Sequence, residues 1–380
     1  MKDDRFSRRG LLRTTAGGVI AATAAASGLR SRRAEADAAA ETTQRRGAQR
    51  LSLAQLVRWE ALGYGMFIHF GMSTFVRKEL PDGKAPPTRY APDRLDVDQW
   101  ISVARDAGMK YAVLTAKHVA GHCLWPSRHT TYTVANSADK ADVVERFVKA
   151  CEKRGVLAGL YYCSWDNHNR FGSRTPSDPH MQWNWKQDRY AEMERKTHAD
   201  ANALLPPYTT SVYQGFQTAQ ITELLTQYGP IAETWIDIPG VLGAGYRTFL
   251  YRRIAELQPE TVIMMNSGIS TGETYDVDYA WPSDLIAIER RLPPESGHRK
   301  WRTIEGKEYY MPGEVCDPIG KEWFFVPGDT PRADAVLADQ VQACRARGVN
   351  LLLDVPPDEH GLIPEEYVQA LMRLRKNAKL

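Results

Sequence analysis

Three carboxylates in this sequence are placed to do chemistry. Trp235-Ile236-Asp237-Ile238-Pro239-Gly240 ends an apolar run on a single acid. A carboxylate at the end of a buried strand is desolvated and held still, which suits a nucleophile. The same residues allow a plainer role, because an Asp before Pro-Gly also caps a turn or the next helix. Leu285-Ile286-Ala287-Ile288-Glu289 brings a second apolar approach to a glutamate. Burial there raises the pKa and retains the proton, as a general acid requires. Glu314, in Met311-Pro312-Gly313-Glu314, is the rival for that role. A solvated surface glutamate is the ordinary alternative for both. Two such acids are what glycoside hydrolysis needs. One attacks the anomeric carbon, and the other protonates the leaving oxygen and then activates water.

His118 and His122 are four apart in Lys117-His118-Val119-Ala120-Gly121-His122. That spacing binds zinc when it lies on a helix. Here it follows a strand-like run, contains a glycine and lacks the glutamate of HExxH, so no metal is expected. Hydrogen bonding of His69 and His118 to hydroxyl groups is the better reading, with a buried, satisfied histidine as the alternative. The cysteines 123, 151, 163, 316 and 344 are odd in number and widely spaced. They read as buried single thiols.

Strands and helices must hold these groups, and from residue 50 onward their patterns alternate. Residues 64–71, 110–116, 156–163, 231–236, 261–266 and 350–355 read as strands. Residues 54–62, 95–107, 139–153, 212–228, 246–257, 333–346 and 365–375 read as helices. Residues 164–205 read as a long loop, and 267–332 as irregular with short strand-like pieces. Repeated strand–helix units imply a parallel sheet, either open and doubly wound or closed as a (β/α)8-like barrel. No GxGxxG turn follows the first strand, which counts against dinucleotide binding. His69, Lys117-His118, Trp165-Asp166, Asp237 and Asn266 all fall just past strand ends. Barrel enzymes place their sites there, so a barrel is the expected closure.

The chain has 380 residues, with 10 Trp and 17 Tyr. Such aromatic content suits a sugar site, where rings stack on C–H faces, and equally a large core. The formal charge is +3, but residues 1–40 carry eight basic and four acidic side chains. The rest of the chain is therefore near −1, which gives no electrostatic case for a nucleic-acid partner. Ser7-Arg8-Arg9-Gly10-Leu11-Leu12-Arg13 resembles a twin-arginine export signal, followed by an alanine-rich stretch over 14–29. Residues 1–40 are read as this leader and its cleavage region, and 41–380 as the catalytic barrel domain. The expected location is secreted or extracytoplasmic, with no membrane span in the mature protein.

Taken together, the segments from about residue 50 to about 375 resemble the α-L-fucosidases, family 29 of the glycoside hydrolases. Gly65-Met66-Phe67-Ile68-His69-Phe70-Gly71 is similar to the family's GxFIHWG. Residues 107–118 are similar to its AGAKYxVLTxKH, and Gly159 to Asp166 to GLYYSxWD. Residues 223–237 are similar to ELLxxYGPxxxxWxD, and 350–363 to NLLLNVPPxxxGxI. Five matches in one order are hard to obtain by chance.

The resemblance implies a retaining, metal-free and cofactor-free exo-α-L-fucosidase, acting on fucosylated oligosaccharides or glycoconjugates. It selects Asp237 as nucleophile and points to Glu289 as acid/base. His69, His118 and Glu79 are implied as sugar ligands. Tyr161 or Tyr162, Trp281 or Trp323, and Trp165 are implied as substrate-binding pocket walls. Residues 75–79 and 311–325 are closest to relatives preferring α-1,3/1,4-linked fucose. One departure is clear: the family's KHHDGF reads here Lys117-His118-Val119-Ala120-Gly121-His122. An altered sugar such as L-galactose, a weak glycan-binding homologue, or replacement by His122 are the alternatives it raises. The chain is also expected to lack the C-terminal β-sandwich that many relatives carry.

Overall fold

Local signals start and stop the elements. Ser52 and Gln55 form a reciprocal capping box at α1 (Leu53–Glu60). Asp96 caps α3 (Val97–Asp106), which follows the short α2 (Met72–Val76). Asp142 caps α4 (Val143–Arg154), and Gly155 ends it in the left-handed conformation. Residues 139–142, expected in that helix, lie before it, because the Asp142 carboxylate accepts from Glu145 N–H at 2.9 Å. The computed structural model describes residues 45–169 and 211–380. The expected leader, and all of the expected loop beyond residue 169, lie outside the described residues.

Between these helices run β1 (Tyr64–Ile68), β2 (Tyr111–Lys117), β3 (Leu157–Cys163), β4 (Glu233–Asp237), β5 (Val262–Met265), β6 (Ile286–Glu289), β9 (Gly313–Pro318) and β10 (Asn350–Asp354). All pair in parallel in the order β5-β4-β3-β2-β1-β10-β9-β6. The strands are buried almost throughout, as a parallel sheet covered on both faces requires. The two ends of the sheet, β5 and β6, meet without a regular ladder. The seam is sewn by the segment before β6: Asp284 N–H donates to Ile263 O, Ile263 N–H to Asp284 Oδ2 and Met265 N–H to Ser283 Oγ. The expected (β/α)8-like barrel is present, nearly closed.

The outer helices are α5 (Ser211–Gln227), α6 (Ala244–Leu257), α8 (Asp334–Arg347) and α9 (Glu365–Ala378). Only one turn, α7 (Val277–Ala280), separates β5 from β6. A hairpin, β7 (Trp301–Ile304) and β8 (Lys307–Tyr310), replaces a helix between β6 and β9. Residues 45–50 and 301–309 group as a small unit of their own, with Arg46 lying 4.6 Å over the Trp301 ring. The region read as irregular, 267–332, therefore holds two barrel strands. β6 has four residues, and β9 contains Gly, Asp and Pro, which strands usually avoid. No described helix is long and apolar enough to cross a membrane. All five cysteines are buried, unpaired thiols.

Candidate active site

The C-terminal ends of the strands converge on one pocket. β1 is followed by His69, β2 by His118 and β5 by Asn266, while β4 ends on Asp237 and β6 on Glu289. Tyr161 points inward from β3, and the wall is completed by Phe67, Glu79, Val119, Trp235, Tyr279 and Trp323. Glu79 arrives on the loop after α2, and Trp323 on the loop after β9.

Asp237 is held from several sides. Tyr161 Oη donates to Oδ2 at 2.5 Å, and Asn266 Nδ2 to Oδ1 at 2.8 Å. Burial raises its pKa, against the opposing pull of these two donors and the Ile238 N–H. Asn266 Nδ2 also lies 3.3 Å from Glu289 Oε2. Laid end to end, the two legs of 2.8 and 3.3 Å keep Asp237 Oδ1 and Glu289 Oε2 within 6.1 Å of each other. Burial, and next the neighbouring Asp237 charge, push the Glu289 carboxyl up to about 8. The Asn266 amide and Arg290 resist that rise. Glu289 is thus the proton-retaining member of the pair and Asp237 the member with more donors, the division that two-carboxyl chemistry uses.

The residues after both acids are unusual. Ile238 (φ 50°) and Arg290 (φ 52°) adopt the left-handed conformation, which is costly for a branched side chain such as Ile238. This turns the backbone sharply just past each carboxylate.

The histidines are neutral. Burial lowers His69 to about 3 and takes His118 well below its ordinary value. His69 N–H and ring Nδ1 both meet Asp354 Oδ1, at 3.2 and 2.8 Å. Burial keeps the His69 ring neutral, so this contact is a hydrogen bond and not an ion pair. A proton on Nδ1 leaves His69 Nε2 as an acceptor. His118 stacks on Tyr161 (centroids 5.7 Å, 24°), and its Nδ1 has no hydrogen-bond partner among the described residues. Burial raises Glu79 to about 7, against the pull of Arg290. Arg290 itself lies 4.7 Å over the Trp323 ring.

Asp237, Glu289, His69, Glu79, His118, Tyr161 and Trp323 are therefore brought together as the sequence led one to expect. Four expected residues are not. Tyr162 faces the other side of β3, because adjacent strand residues alternate. Its hydroxyl accepts from Lys117 Nζ at 2.9 Å and donates to Gln220 Oε1 at 2.8 Å. Trp165 is buried behind the wall, donating to Asn167 Oδ1. Asn167 in turn donates to Val119 O and Pro81 O, so this pair braces two pocket loops. Trp281 is the C-cap of α7 and does not line the pocket; Tyr279 is the α7 residue that does. Glu314 is fully buried inside the barrel, bonded to Tyr111 and Trp235, and does not line the pocket.

His122 does not replace the missing family histidine. It lies between Tyr90 and Tyr132 and bonds Ser137 Oγ at 2.9 Å, so it does not converge with His118 on a metal either. No cluster of three potential metal-ligating side chains occurs among the described residues.

Sequence reasoning gave no role to Trp235, Asp354 or Tyr279, and placed Asn266 only as a polar residue past a strand end. Asn266 and Asp354 carry the same signal as Asp237, a polar residue closing an apolar strand. Tyr279 carries none.

The family model described as Alpha-L-fucosidase matches residues 84–377, more than three quarters of the chain. The chain is 30% identical over 334 residues to Alpha-L-fucosidase 1 of Arabidopsis thaliana, covering 84% of this chain but only 59% of that protein. A solved Bacteroides thetaiotaomicron structure shares the fold with a TM-score of 0.65 at 27% identity, over 87% of this chain and 68% of that one. Alpha-L-fucosidase isoenzyme 1 from Paenibacillus thiaminolyticus gives a TM-score of 0.63 at 23% identity, over 84% and 74%, a likeness of fold alone.

Proposed function

The chain belongs to the α-L-fucosidase family, and we propose that it is a retaining exo-α-L-fucosidase with Asp237 as nucleophile and Glu289 as acid/base. The observation that carries this reading is the Asn266 amide, which spans both carboxyls and limits their nearest oxygens to 6.1 Å. Retaining enzymes keep the carboxyls about 5–5.5 Å apart, and inverting ones about 6.5–9.5 Å.

In the first step an Asp237 oxygen bonds to the anomeric carbon of a terminal α-L-fucosyl unit. The bond to the leaving oxygen breaks, and that oxygen takes the Glu289 proton. In the second step Glu289, now a carboxylate, takes a proton from water. The water oxygen bonds to the anomeric carbon, and Asp237 leaves as a carboxylate. His69 Nε2, His118 and Glu79 bind sugar hydroxyls, while Trp235, Tyr161 and Trp323 offer apolar faces. The resemblance of residues 75–79 and 311–325 supports α-1,3/1,4-linked substrates. The twin-arginine-like leader supports export.

Val119 favours a second reading. It lines the pocket where the family pattern has a histidine, and no donor from His122 takes its place. A sugar related to L-fucose but differently substituted would fit that wall. Free sugar released from an aryl α-L-fucoside, an aryl L-galactoside and 1,2-, 1,3-, 1,4- and 1,6-fucosylated oligosaccharides tests both. L-fucose release that needs Asp237 supports the first reading. Release only from an L-galactoside supports the second, and no release from any substrate by the folded protein sinks both.

A further inference from the structure

The barrel interior holds a second pair of acids that the reaction above does not use. Glu233 begins β4, and Glu314 is the second residue of β9. Both are buried, at 1% and 0% exposure. Burying two neighbouring carboxyls in a barrel core is costly, and apolar side chains of the same size would fill the space. The surroundings are nevertheless shaped for them. A Cβ on Gly65 would meet the Tyr111 ring at 2.6 Å, and one on Gly159 would meet Glu233 Cβ at 3.2 Å.

Glu314 is bonded on both oxygens. Tyr111 Oη donates to Oε2 at 2.6 Å, and Trp235 Nε1 donates to Oε1 at 3.1 Å. The Trp235 ring lines the pocket and stacks on Tyr161, with centroids 5.4 Å apart and planes at 23°. Tyr161 Oη holds Asp237 Oδ2. An unbroken chain of contacts therefore runs from the barrel interior to the acid at its mouth.

We propose that Glu314 is a positioning residue for the nucleophile: it fixes the Trp235 plate from below, and that plate sets the Tyr161 hydroxyl that orients Asp237. The inference rests on the preceding assignment of Asp237 as nucleophile. It gives a buried acid a part in turnover without contact to substrate.

The test uses Glu314→Gln, Trp235→Phe and the double variant of the full mature chain, assayed on an aryl α-L-fucoside. Glu314→Gln lowers kcat about tenfold, the effect of weakening one buried hydrogen bond. The acidic limb of kcat/KM moves to higher pH, because Asp237 loses part of the donor that holds its pKa down. Trp235→Phe removes the indole N–H and shifts the limb in the same direction. Adding Glu314→Gln to it then changes little. A folded Glu314→Gln with wild-type kcat and limb overturns the proposal, and so do additive effects in the double variant. If Glu314→Gln does not fold, an unshifted limb in Trp235→Phe overturns it alone. A chain without turnover is followed by carboxyl 13C titration of Asp237, identified by its loss in Asp237→Asn. A shifted titration beside absent fucose release retires the fucosidase reading and keeps the link from Glu314 through Trp235 to Asp237; an unshifted titration overturns that link.

Discussion

Strand β4 carries two acids on its inward face, Glu233 at its start and Asp237 at its end. Each is paired with a glutamate from another strand, Glu314 of β9 below and Glu289 of β6 above. The residue types are nearly the same, and the surroundings divide their roles. The upper pair opens on a pocket and shares one amide donor, Asn266. Its members are pushed apart in proton affinity, because Asp237 has three donors and Glu289 has few. Neither member of the lower pair lines that pocket. Burial raises both of its members, and Glu314 is held by Tyr111, Trp235 and its partner Glu233. On the proposed function, the pair at the mouth reacts and the pair below supports it.

The largest effect that could break this division is at Asp237. Asp237→Ala lowers kcat by at least about 10⁴-fold, the scale of losing a nucleophile. The circular dichroism and Tm of that variant stay near those of the parent. Azide restores turnover to Asp237→Gly and yields the inverted fucosyl azide. Wild-type turnover in either variant would end the assignment.

Glu289→Gln comes next, with kcat/KM falling about 10²–10⁴-fold. The loss is greater for sugar leaving groups than for nitrophenolate, which needs no proton. In the parent, Glu289 must be protonated to act, so activity is lost as pH rises through about 8. The same group binds its proton more tightly folded than unfolded. Between the ordinary glutamate value and about 8, its contribution to stability therefore falls as pH rises. Glu289→Gln flattens that slope as well as the basic limb, and a pH series of urea midpoints reads it. A basic limb that persists in the variant would move the acid/base role elsewhere.

How much of this division was legible beforehand follows from the strands. β4 ends an apolar run on Asp237, and its alternation is plain. The barrel could be read from repeated buried strands such as β2 and β10. β6 and β9 could not, being short or rich in residues that avoid sheets, and with them went the distinction between Glu289 and Glu314. Both glutamates follow apolar or turn-like residues, and nothing local tells which sits at the mouth. Asn266 was visible as a strand-end polar residue, but its reach to two carboxyls depends on how the β5–β6 seam closes.

Asn266→Ala sharpens the upper pair by removing its shared donor. Losing a charge-assisted hydrogen bond costs about 1.5–3 kcal/mol, or about ten- to a hundredfold in kcat/KM. Both carboxyls rise when the amide goes, since it lowers each of them. The bell-shaped pH profile therefore shifts as a whole to higher pH. A profile that moves on one limb only would mean that the amide serves a single carboxyl.

The smallest effect lies one residue from a large one. Tyr161 and Tyr162 are neighbours on β3, one inside the barrel and one outside. Tyr161→Phe deprives Asp237 of a 2.5 Å donor and moves the acidic limb upward. Tyr162→Phe removes a hydroxyl that joins Lys117 to Gln220. Lys117 still keeps its buried partner, Asp166, at 2.7 Å, so no charge is left alone. The cost is about 1 kcal/mol of stability, the net worth of one buried hydrogen bond. It appears as a lower urea midpoint with kcat and both pH limbs unchanged. If Tyr162→Phe instead altered the pH profile as Tyr161→Phe does, the two faces of β3 would not be separate, and the division between reactive mouth and supporting wall would fail where it is drawn most finely.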